Sequence, residues 1–405
     1  MKKQLAVGLA AALVFCPITA AAADFPVEPS VETIGEGIVS AEMALASGFE
    51  VGPNLPAAGA VLMEQTTGKI LFAKNEREPL PPASITKVMS LLLVMEALDR
   101  GSLTLETEIC CSAEAAAMGG SQIWLEAGEV MTVDELLQAA AIASANDATL
   151  ALAEAVAGSE GAFVELMNRR AEQLGMTDTT YKNAVGLDEE GHLSSARDVA
   201  IVSAELLKHP LITNYSTVWM AQLRGGETQL VNTNRLIRSY EGATGLKTGT
   251  TSQAGKCLAA SATREGLSLV AVVLGCQSSD DRFAAGRALL DYGFANYTCW
   301  TPQPPEEGLT SVEVTRGTRR RVQPACQPQS GFVVEKKLVE SITQRVELQE
   351  RLEAPVQQGQ IIGRVVVEAG GKQLGEYPVT AADSVERMTW SRALALLWQQ
   401  LCDMN

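Results

Sequence analysis

Residues 81–98 read PPASITKVMSLLLVMEAL, a proline-containing turn that runs into a helical pattern. After Ser84, apolar residues fall on nearly every side of the predicted helix, and Arg100-Gly101 follows as a stop signal. A helix that is apolar all round is usually buried in the core of a protein. The stretch therefore predicts a central helix whose first turn carries Ser84 and, three residues later, Lys87.

The Ser84–Lys87 spacing places a hydroxyl and an amine on one face of this helix, one turn apart. At a helix N-terminus, unpaired backbone N–H groups and the helix dipole stabilise developing negative charge. A lysine with a lowered pKa can accept the serine proton and make the serine a nucleophile. The alternative is a capped helix with a solvated lysine, but an unused ammonium in an apolar helix is costly.

Two further short motifs fall where side chains can converge. Ser144-Ala145-Asn146 lies at a break between helical stretches, and the helix before it begins with a predicted capping box at Thr132 and Glu135. Lys247-Thr248-Gly249 lies just before two hairpin strands, and its glycine allows a substrate backbone to approach closely. Each motif alone is also compatible with a polar turn or a lysine at a strand start. The three motifs in this order form the set shared by penicillin-binding proteins and class A β-lactamases.

The elements around these motifs predict an α/β (α+β) fold, with an antiparallel sheet and a helical cluster. One hairpin is predicted around Thr66-Thr67-Gly68, and a second joins Leu258–Thr263 to Leu267–Leu274. Further helices are predicted at 163–174, 195–207 and 282–297. The region thus begins and ends with a hairpin and a helix, with further helices between them.

This layout resembles the β-lactamase/transpeptidase-like fold, and the chain is similar to low-molecular-mass penicillin-binding proteins of the serine D-Ala-D-Ala carboxypeptidase family (peptidase S11). The similarity covers roughly Ala58 to Trp300. It includes Gly119-Gly120-Ser121, Gly186-Leu187-Asp188, Gly191-His192, Ser195-Ala196-Arg197-Asp198 and Tyr292-Gly293-Phe294. The resemblance implies an enzyme that removes the terminal D-alanine from peptidoglycan stem peptides, and that β-lactams inhibit by acylating the same serine.

The resemblance also implies which residues carry out the reaction. Ser84 attacks the carbonyl between the two terminal D-alanines, and Lys87 is the base. Ser144 relays a proton to the leaving D-alanine together with Lys247. The backbone N–H groups of Ser84 and Thr250 form the oxyanion hole.

The remaining expected roles concern substrate binding. Asn146 is expected to hold the peptide backbone, and Arg282 to bind the free carboxylate together with Thr248. The full expected substrate-binding set is Asn146, Lys247, Thr248, Gly249, Thr250 and Arg282. Thr250 departs from relatives that carry a bulky or basic residue there, which leaves substrate preference open. Gly119-Gly120 is expected in a loop beside the site, and His192 is expected to be structural rather than catalytic.

Composition excludes several other kinds of function. The chain of 405 residues has a formal net charge of -16, whereas nucleic-acid phosphates need a basic surface, so we expect no nucleic-acid partner. With 2 His and no zinc-type Cys/His spacing, we expect no metal site, and the resemblance implies no cofactor. Of the 8 Cys, Cys110 and Cys111 are adjacent and the others, including Cys16 in the N-terminal segment, are scattered, so disulfide pairing stays open.

The length predicts two domains plus terminal segments. Residues 1–23 have the charged start, short apolar run and small-residue end of a signal peptide, so we expect an exported protein, with a membrane-spanning helix as the alternative. Residues 24–56 are predicted as a lead-in and 57–300 as the catalytic domain. A proline-rich linker at 302–305 then precedes a small β-rich domain at 307–380.

Residues 384–405 are predicted as an amphipathic helix that is too polar to span a bilayer. Its shared apolar face consists of Trp390, Leu394, Leu397, Trp398 and Leu401. Such a helix can lie in a membrane interface. The alternative is packing on the β-rich domain, and the resemblance favours the membrane surface.

Two other functions compete with the carboxypeptidase. Class A β-lactamases add a glutamate that activates the deacylating water, and Glu165-Leu166-Met167-Asn168 is outwardly similar to that element. Its spacing is one residue short, however, and it falls on an ordinary amphipathic helix. A catalytically silent sensor or wall-binding protein on the same fold is the other alternative, and the intact motif residues argue against it.

Overall fold

The structure is a computed structural model that describes residues 52–305, 307–327 and 331–403. The predicted signal peptide and most of the predicted lead-in lie outside the described residues. The lead-in already ends in packed structure, because Leu55 is buried and its carbonyl accepts a hydrogen bond from Lys74 Nζ at 2.7 Å.

The secondary structure follows the predicted alternation of hairpins and helices. The strands are β1 (Gly59–Glu64), β2 (Ile70–Lys74), β3 (Glu108–Cys110), β4 (Val130–Thr132), β5 (Met220–Leu223), β6 (Thr228–Val231), β7 (Ala243–Thr251), β8 (Gly255–Arg264), β9 (Leu267–Cys276), β10 (Tyr297–Trp300), β11 (Val312–Thr315), β12 (Arg321–Val322), β13 (Pro324–Cys326), β14 (Phe332–Glu335), β15 (Thr343–Leu348), β16 (Arg351–Glu353), β17 (Ile361–Ala369) and β18 (Lys372–Ala381). The α-helices are α1 (Lys87–Asp99), α2 (Ala113–Ala116), α3 (Val133–Gln138), α4 (Asn146–Ala157), α5 (Glu160–Gln173), α6 (Ala196–Leu206), α7 (Thr213–Ser216), α8 (Leu236–Ser239), α9 (Ser279–Asn296) and α10 (Trp390–Asp403).

A five-stranded antiparallel sheet organises the first part of the chain, in the order β2-β1-β9-β8-β7. Both faces are covered, so the middle strands are apolar along their length. In β9, Val270 and Val272 point to a core shared with α1 and α6, while Leu269 and Ala271 point to a second core shared with α9. The predicted α/β (α+β) fold, with its antiparallel sheet and helical cluster, is confirmed.

The central helix α1 is buried as predicted, with ten of its 13 residues, including Lys87, in the core. A short 3-10 turn, Ala83–Thr86, leads into it. The predicted capping box opens α3, with Thr132 accepting from the Glu135 backbone N–H. The helix does not continue unchanged to residue 144. It becomes a π-helical turn, Ala139–Ala143, and ends at Ser144 in the left-handed region, with φ 64.

Several element boundaries differ from the sequence prediction, and two of them concern the elements beside the motifs. The helix predicted at 282–297 begins earlier, at Ser279, where Ser278 and Asp281 form a capping box. It ends at Asn296, because Tyr297–Trp300 pairs with β14 as strand β10 instead. Lys247 was expected just before the hairpin strands, but it lies within β7, which pairs along its length with β8. In both cases tertiary pairing overrides the local pattern.

The C-terminal strands surround a third apolar core, which includes Val314, Val365 and Val379. The last helix is shorter than predicted and begins at Trp390 rather than at residue 384. The reason is that Val385 is buried in this third core and exchanges backbone hydrogen bonds with Val356. Within the described ranges, no helix combines the length and the apolar character that crossing a membrane requires.

Candidate active site

The turn Ala83–Thr86 brings Ser84 against the edge strand β7. Gly249 makes this approach possible, because a Cβ there would lie 2.8 Å from Pro82 O and 3.0 Å from Ala83 Cβ. Ser84 Oγ lies 3.1 Å from Lys87 Nζ, which donates to it. The predicted nucleophile and base are therefore in direct contact at the start of α1.

Lys87 is fully buried and its ammonium group is surrounded by acceptors. Besides Ser84 Oγ, Nζ donates to Asn146 Oδ1 at 2.6 Å and to the Val185 carbonyl at 2.8 Å. Burial holds the pKa of Lys87 well below its ordinary value, the charge of Lys247 lowers it further, and Asp147 opposes the shift. A lysine that loses its proton readily, and that touches a serine hydroxyl, can act as that serine's base.

The break after α3 places the second motif beside Lys87. Ser144 is buried, with 5% of its surface exposed, and its left-handed backbone ends the π-helical turn before α4 begins at Asn146. Asn146 Nδ2 donates to the Gly119 carbonyl at 2.6 Å, and its backbone N–H donates to Ser121 O at 2.7 Å. The loop that carries Gly119 and Gly120 therefore lies beside the candidate site, where the sequence predicted it.

Lys247 is the second buried lysine of the site. Burial, with a further contribution from the charge of Arg282, lowers the pKa of Lys247 to about 7. The neighbouring Thr248 Oγ1 donates to Thr233 Oγ1 at 2.8 Å, and the Thr233 backbone N–H donates to Ile142 O at 3.2 Å. Thr233 thus links β7 to the π-helical turn. The sequence did not predict a role for Thr233, because no local motif distinguishes this residue from other loop threonines.

Arg282 comes from α9 and lies against the same strand. Its Nη1 donates to the Gly249 carbonyl at 3.0 Å and to Thr250 Oγ1 at 3.2 Å. Thr250 Oγ1 in turn donates to the Gly249 carbonyl at 2.8 Å. Arg282 is 7% exposed, and its Nε has no hydrogen-bond partner among the described residues. Two cationic side chains, Lys247 from β7 and Arg282 from α9, thus lie along this strand.

The structure brings the predicted residues other than Ser144 together in two groups that meet at the turn Ala83–Thr86. Ser144 lies two residues before Asn146, and among the described residues no side-chain hydrogen bond joins it to either group. Ser84, Lys87 and Asn146 form one hydrogen-bonded group. The other group follows β7 and consists of Lys247, Thr248, Gly249, Thr250 and Arg282. The Val185 carbonyl that holds Lys87 was also missed, because a backbone acceptor leaves no signal in the sequence.

The residues outwardly similar to a β-lactamase glutamate element have other surroundings. Glu165 is exposed on α5. Asn168 instead holds a neighbouring segment, donating to Tyr181 O at 2.9 Å and accepting from the Tyr181 backbone N–H at 2.8 Å. The exposure of Glu165 and the contacts of Asn168 both fit an ordinary amphipathic helix and not a catalytic glutamate element. Throughout the described part of the chain, no cluster of three or more His, Cys, Asp or Glu could hold a metal ion.

Comparison with known proteins gives one family match over the part of the chain that contains the candidate site and another over the C-terminal strands. Residues 48–278 match the family described as D-alanyl-D-alanine carboxypeptidase, and residues 304–387 match the C-terminal domain of penicillin-binding protein 5. The D-alanyl-D-alanine carboxypeptidase DacF of Bacillus subtilis is 41% identical over 82% of this chain and 86% of its own length.

Solved structures resemble the fold over much of the chain. Penicillin-binding protein 5 of Haemophilus influenzae superposes with a TM-score of 0.74 and 30% identity, over 84% of this chain and 100% of that one. Penicillin-binding protein D2 of Listeria monocytogenes, in an ampicillin-bound form, matches 60% of this chain and 100% of that one, with a TM-score of 0.53 and 29% identity.

Proposed function

The chain belongs to the D-alanyl-D-alanine carboxypeptidase family, and we propose that Ser84 is the nucleophile with which it releases the terminal D-alanine from peptidoglycan stem peptides. The observation that carries this assignment is the 3.1 Å contact between Ser84 Oγ and the buried Lys87 Nζ. A serine that touches a lysine with a lowered pKa at a helix start is equipped for acyl transfer.

The first half of the proposed reaction forms an ester. Neutral Lys87 takes the Ser84 proton while Oγ attacks the carbonyl carbon between the two D-alanines. The resulting oxyanion is held by the backbone N–H groups of Ser84 and Thr250, which stabilise it by a few kcal/mol. The C–N bond then breaks, and the leaving D-alanine takes a proton that Ser144 and Lys247 relay. Water hydrolyses the ester and frees Ser84.

Substrate recognition depends on the second group of residues. A substrate that ends in D-alanine carries a free carboxylate, and Arg282 with Thr248 is proposed to bind it. The position of Arg282 supports this role, because its Nη1 donates to the Gly249 carbonyl and to Thr250 Oγ1 and so holds the guanidinium against β7. Asn146 is proposed to hold the peptide backbone, whereas the missing side chain of Gly249 makes room for the turn Ala83–Thr86 rather than for the substrate.

We further propose that β-lactams acylate Ser84, as the ampicillin-bound relative from Listeria supports.

The expected export to the outer face of the membrane, or to the wall or periplasm, rests on residues 1–23. Attachment of α10 to a membrane surface is proposed because Trp390, Leu394 and Trp398 are 95%, 70% and 72% exposed. The limits 57–300 and 307–380 are proposed as the two folded domains.

Two rates measured on one preparation test the function. The carboxypeptidase should release D-alanine from a peptide ending in D-Ala-D-Ala and should hydrolyse benzylpenicillin only slowly. As the matched variant, Glu165→Gln should change neither rate, because the side chain is exposed on α5. Fast penicillin hydrolysis that Glu165→Gln abolishes would instead identify a β-lactamase.

A further inference from the structure

His192 is a buried histidine that the proposed reaction does not use. It is 3% exposed and packs edge-to-face on Tyr181, with the ring centroids 5.8 Å apart. Its Nε2 lies 2.7 Å from Thr86 Oγ1, and the Lys182 backbone N–H donates to its Nδ1 at 3.0 Å. Thr86 directly precedes Lys87 and lies two residues after Ser84, so this ring contacts the turn that carries the nucleophile.

The hydrogen bonds determine the tautomer of His192. Because Nδ1 accepts from the Lys182 N–H, the proton of the neutral ring is on Nε2, which donates to Thr86 Oγ1. Burial lowers the pKa of His192 to about 4, so the ring stays neutral in the neutral pH range. Both ring nitrogens are occupied, which leaves His192 no free atom for proton transfer to a substrate.

The segment that ends at His192 also supplies an acceptor to Lys87. Residues 183–192, called here the 183–192 loop, run over α1. The Val185 carbonyl accepts from Lys87 Nζ at 2.8 Å, and the Ala184 carbonyl accepts from Ser90 Oγ at 2.6 Å. Asn183 Oδ1 accepts from the Gly186 backbone N–H at 2.7 Å. The loop therefore contacts Lys87 on one side and, through His192, the turn before Lys87 on the other.

We propose that His192 is a positioning residue, which fixes the 183–192 loop to Thr86 so that the Val185 carbonyl holds Lys87 Nζ in reach of Ser84 Oγ. The inference rests on the proposed function, because His192 would act through the Ser84–Lys87 pair. Small displacements of reacting groups are costly, and a shift of about 1 Å can lower a rate about a hundredfold.

The test compares four variants with the wild type: His192→Leu, His192→Gln, Thr86→Val and the His192→Leu/Thr86→Val double variant. The readouts are the rate of acylation by a fluorescent penicillin per folded molecule, kcat and KM for D-alanine release, and Tm. Leucine removes both hydrogen bonds, whereas a glutamine amide can accept from Lys182 and donate to Thr86. The matched control is His209→Leu, because His209 contacts Asp99 instead.

We expect His192→Leu to lower the acylation rate and kcat about ten- to a hundredfold, with KM within a few-fold of wild type, because the ring does not touch substrate. His192→Gln should recover most of the rate. Thr86→Val should resemble His192→Leu, and the double variant should be no slower than either single variant. His209→Leu should acylate at the wild-type rate.

Two results would overturn the inference while leaving the proposed function intact. One is a folded His192→Leu protein that acylates at the wild-type rate. The other is a double variant whose loss equals the product of the two single losses. If the wild type itself is not acylated at Ser84, it is the proposed function that fails.

Discussion

At the scale of single residues, two buried lysines determine the chemistry of the site. Burial is the main cause that lowers the pKa of both lysines; the charge of Lys247 lowers the pKa of Lys87 further, and the charge of Arg282 lowers that of Lys247. Like charges held close together in a buried site favour loss of a proton. Lys87 can thus be neutral and act as a base while Lys247 still carries a proton for the leaving group. Different surroundings give two identical side chains different roles.

This electrostatic arrangement predicts a bell-shaped pH profile for D-alanine release. The rate should rise with pH as Lys87 loses its proton, and it should fall again as Lys247, whose pKa is about 7, loses its own. Arg282→Gln keeps a donor for the Gly249 carbonyl but removes the positive charge near Lys247. Its overall rate should fall, and its alkaline limb should move to higher pH, because the ammonium form of Lys247 becomes easier to maintain.

The measurement is kcat against pH for the wild type and for Arg282→Gln over the range in which both stay folded. Tm at each pH provides the control for unfolding. An alkaline limb at the same pH in both proteins would show that Lys247 does not produce it.

At the scale of elements, the sequence predicted most helices and strands because their signals are local. The capping pairs Thr132/Glu135 and Ser195/Asp198 begin helices in the structure, and the apolar stretch after Ser84 is a buried helix. Hydrophobic period and capping residues act within a few positions of one another. This also accounts for finding the three motifs on the correct kinds of element.

The parts that could not be predicted depend on contacts between distant residues. The strand Tyr297–Trp300 exists because β14 pairs with it, and Thr233 matters only because it reaches Thr248. The left-handed Ser144 after a π-helical turn has no sequence signature, since an unusual backbone conformation at a non-glycine residue requires support from its surroundings. The motif residues could be named from sequence, but their mutual geometry could not.

Gly186 lies where the 183–192 loop packs tightly against the turn that carries Ser84. It has φ +84, and a Cβ would lie 1.9 Å from Ala83 O and 2.8 Å from Thr86 Oγ1. Gly186→Ala should therefore displace the loop from the turn that carries Ser84 and lower penicillin acylation by at least tenfold. The matched control is Gly175→Ala, which has a similar φ of +72 but nothing within 4 Å.

Gly175→Ala should lose only about 1–2 kcal/mol of unfolding free energy, the cost of a left-handed conformation at a residue with a Cβ, and should keep its acylation rate. Urea unfolding and fluorescent-penicillin labelling of both variants measure the two effects. Equal acylation by the two alanine variants would contradict the close fit of the loop on the nucleophile turn.

At the scale of the whole molecule, the sheet and its helices carry the site, while the C-terminal strands have a core of their own and are followed by an amphipathic helix. The exposed apolar face of α10 includes Trp390, Leu394 and Trp398. A net charge of -16 argues against simple electrostatic attraction to anionic lipid, so binding to a membrane must come from apolar burial.

Truncation after Thr389 removes α10 but keeps Val385, which is buried in the C-terminal core. The full chain should co-sediment with phosphatidylcholine vesicles, and the truncated chain should remain in the supernatant while acylating at the same rate. A second variant, with serine replacing Trp390, Leu394 and Trp398, should behave like the truncation. Undiminished co-sedimentation of both would show that α10 is not the membrane contact.

Mass spectrometry of the protein after treatment with benzylpenicillin shows directly which residue is the nucleophile. We expect one added penicilloyl group per chain, located on Ser84, and no added mass on a folded Ser84→Ala variant. Labelling of Ser84→Ala to the same extent, or an adduct located on another residue, would contradict the assignment of Ser84 as the nucleophile.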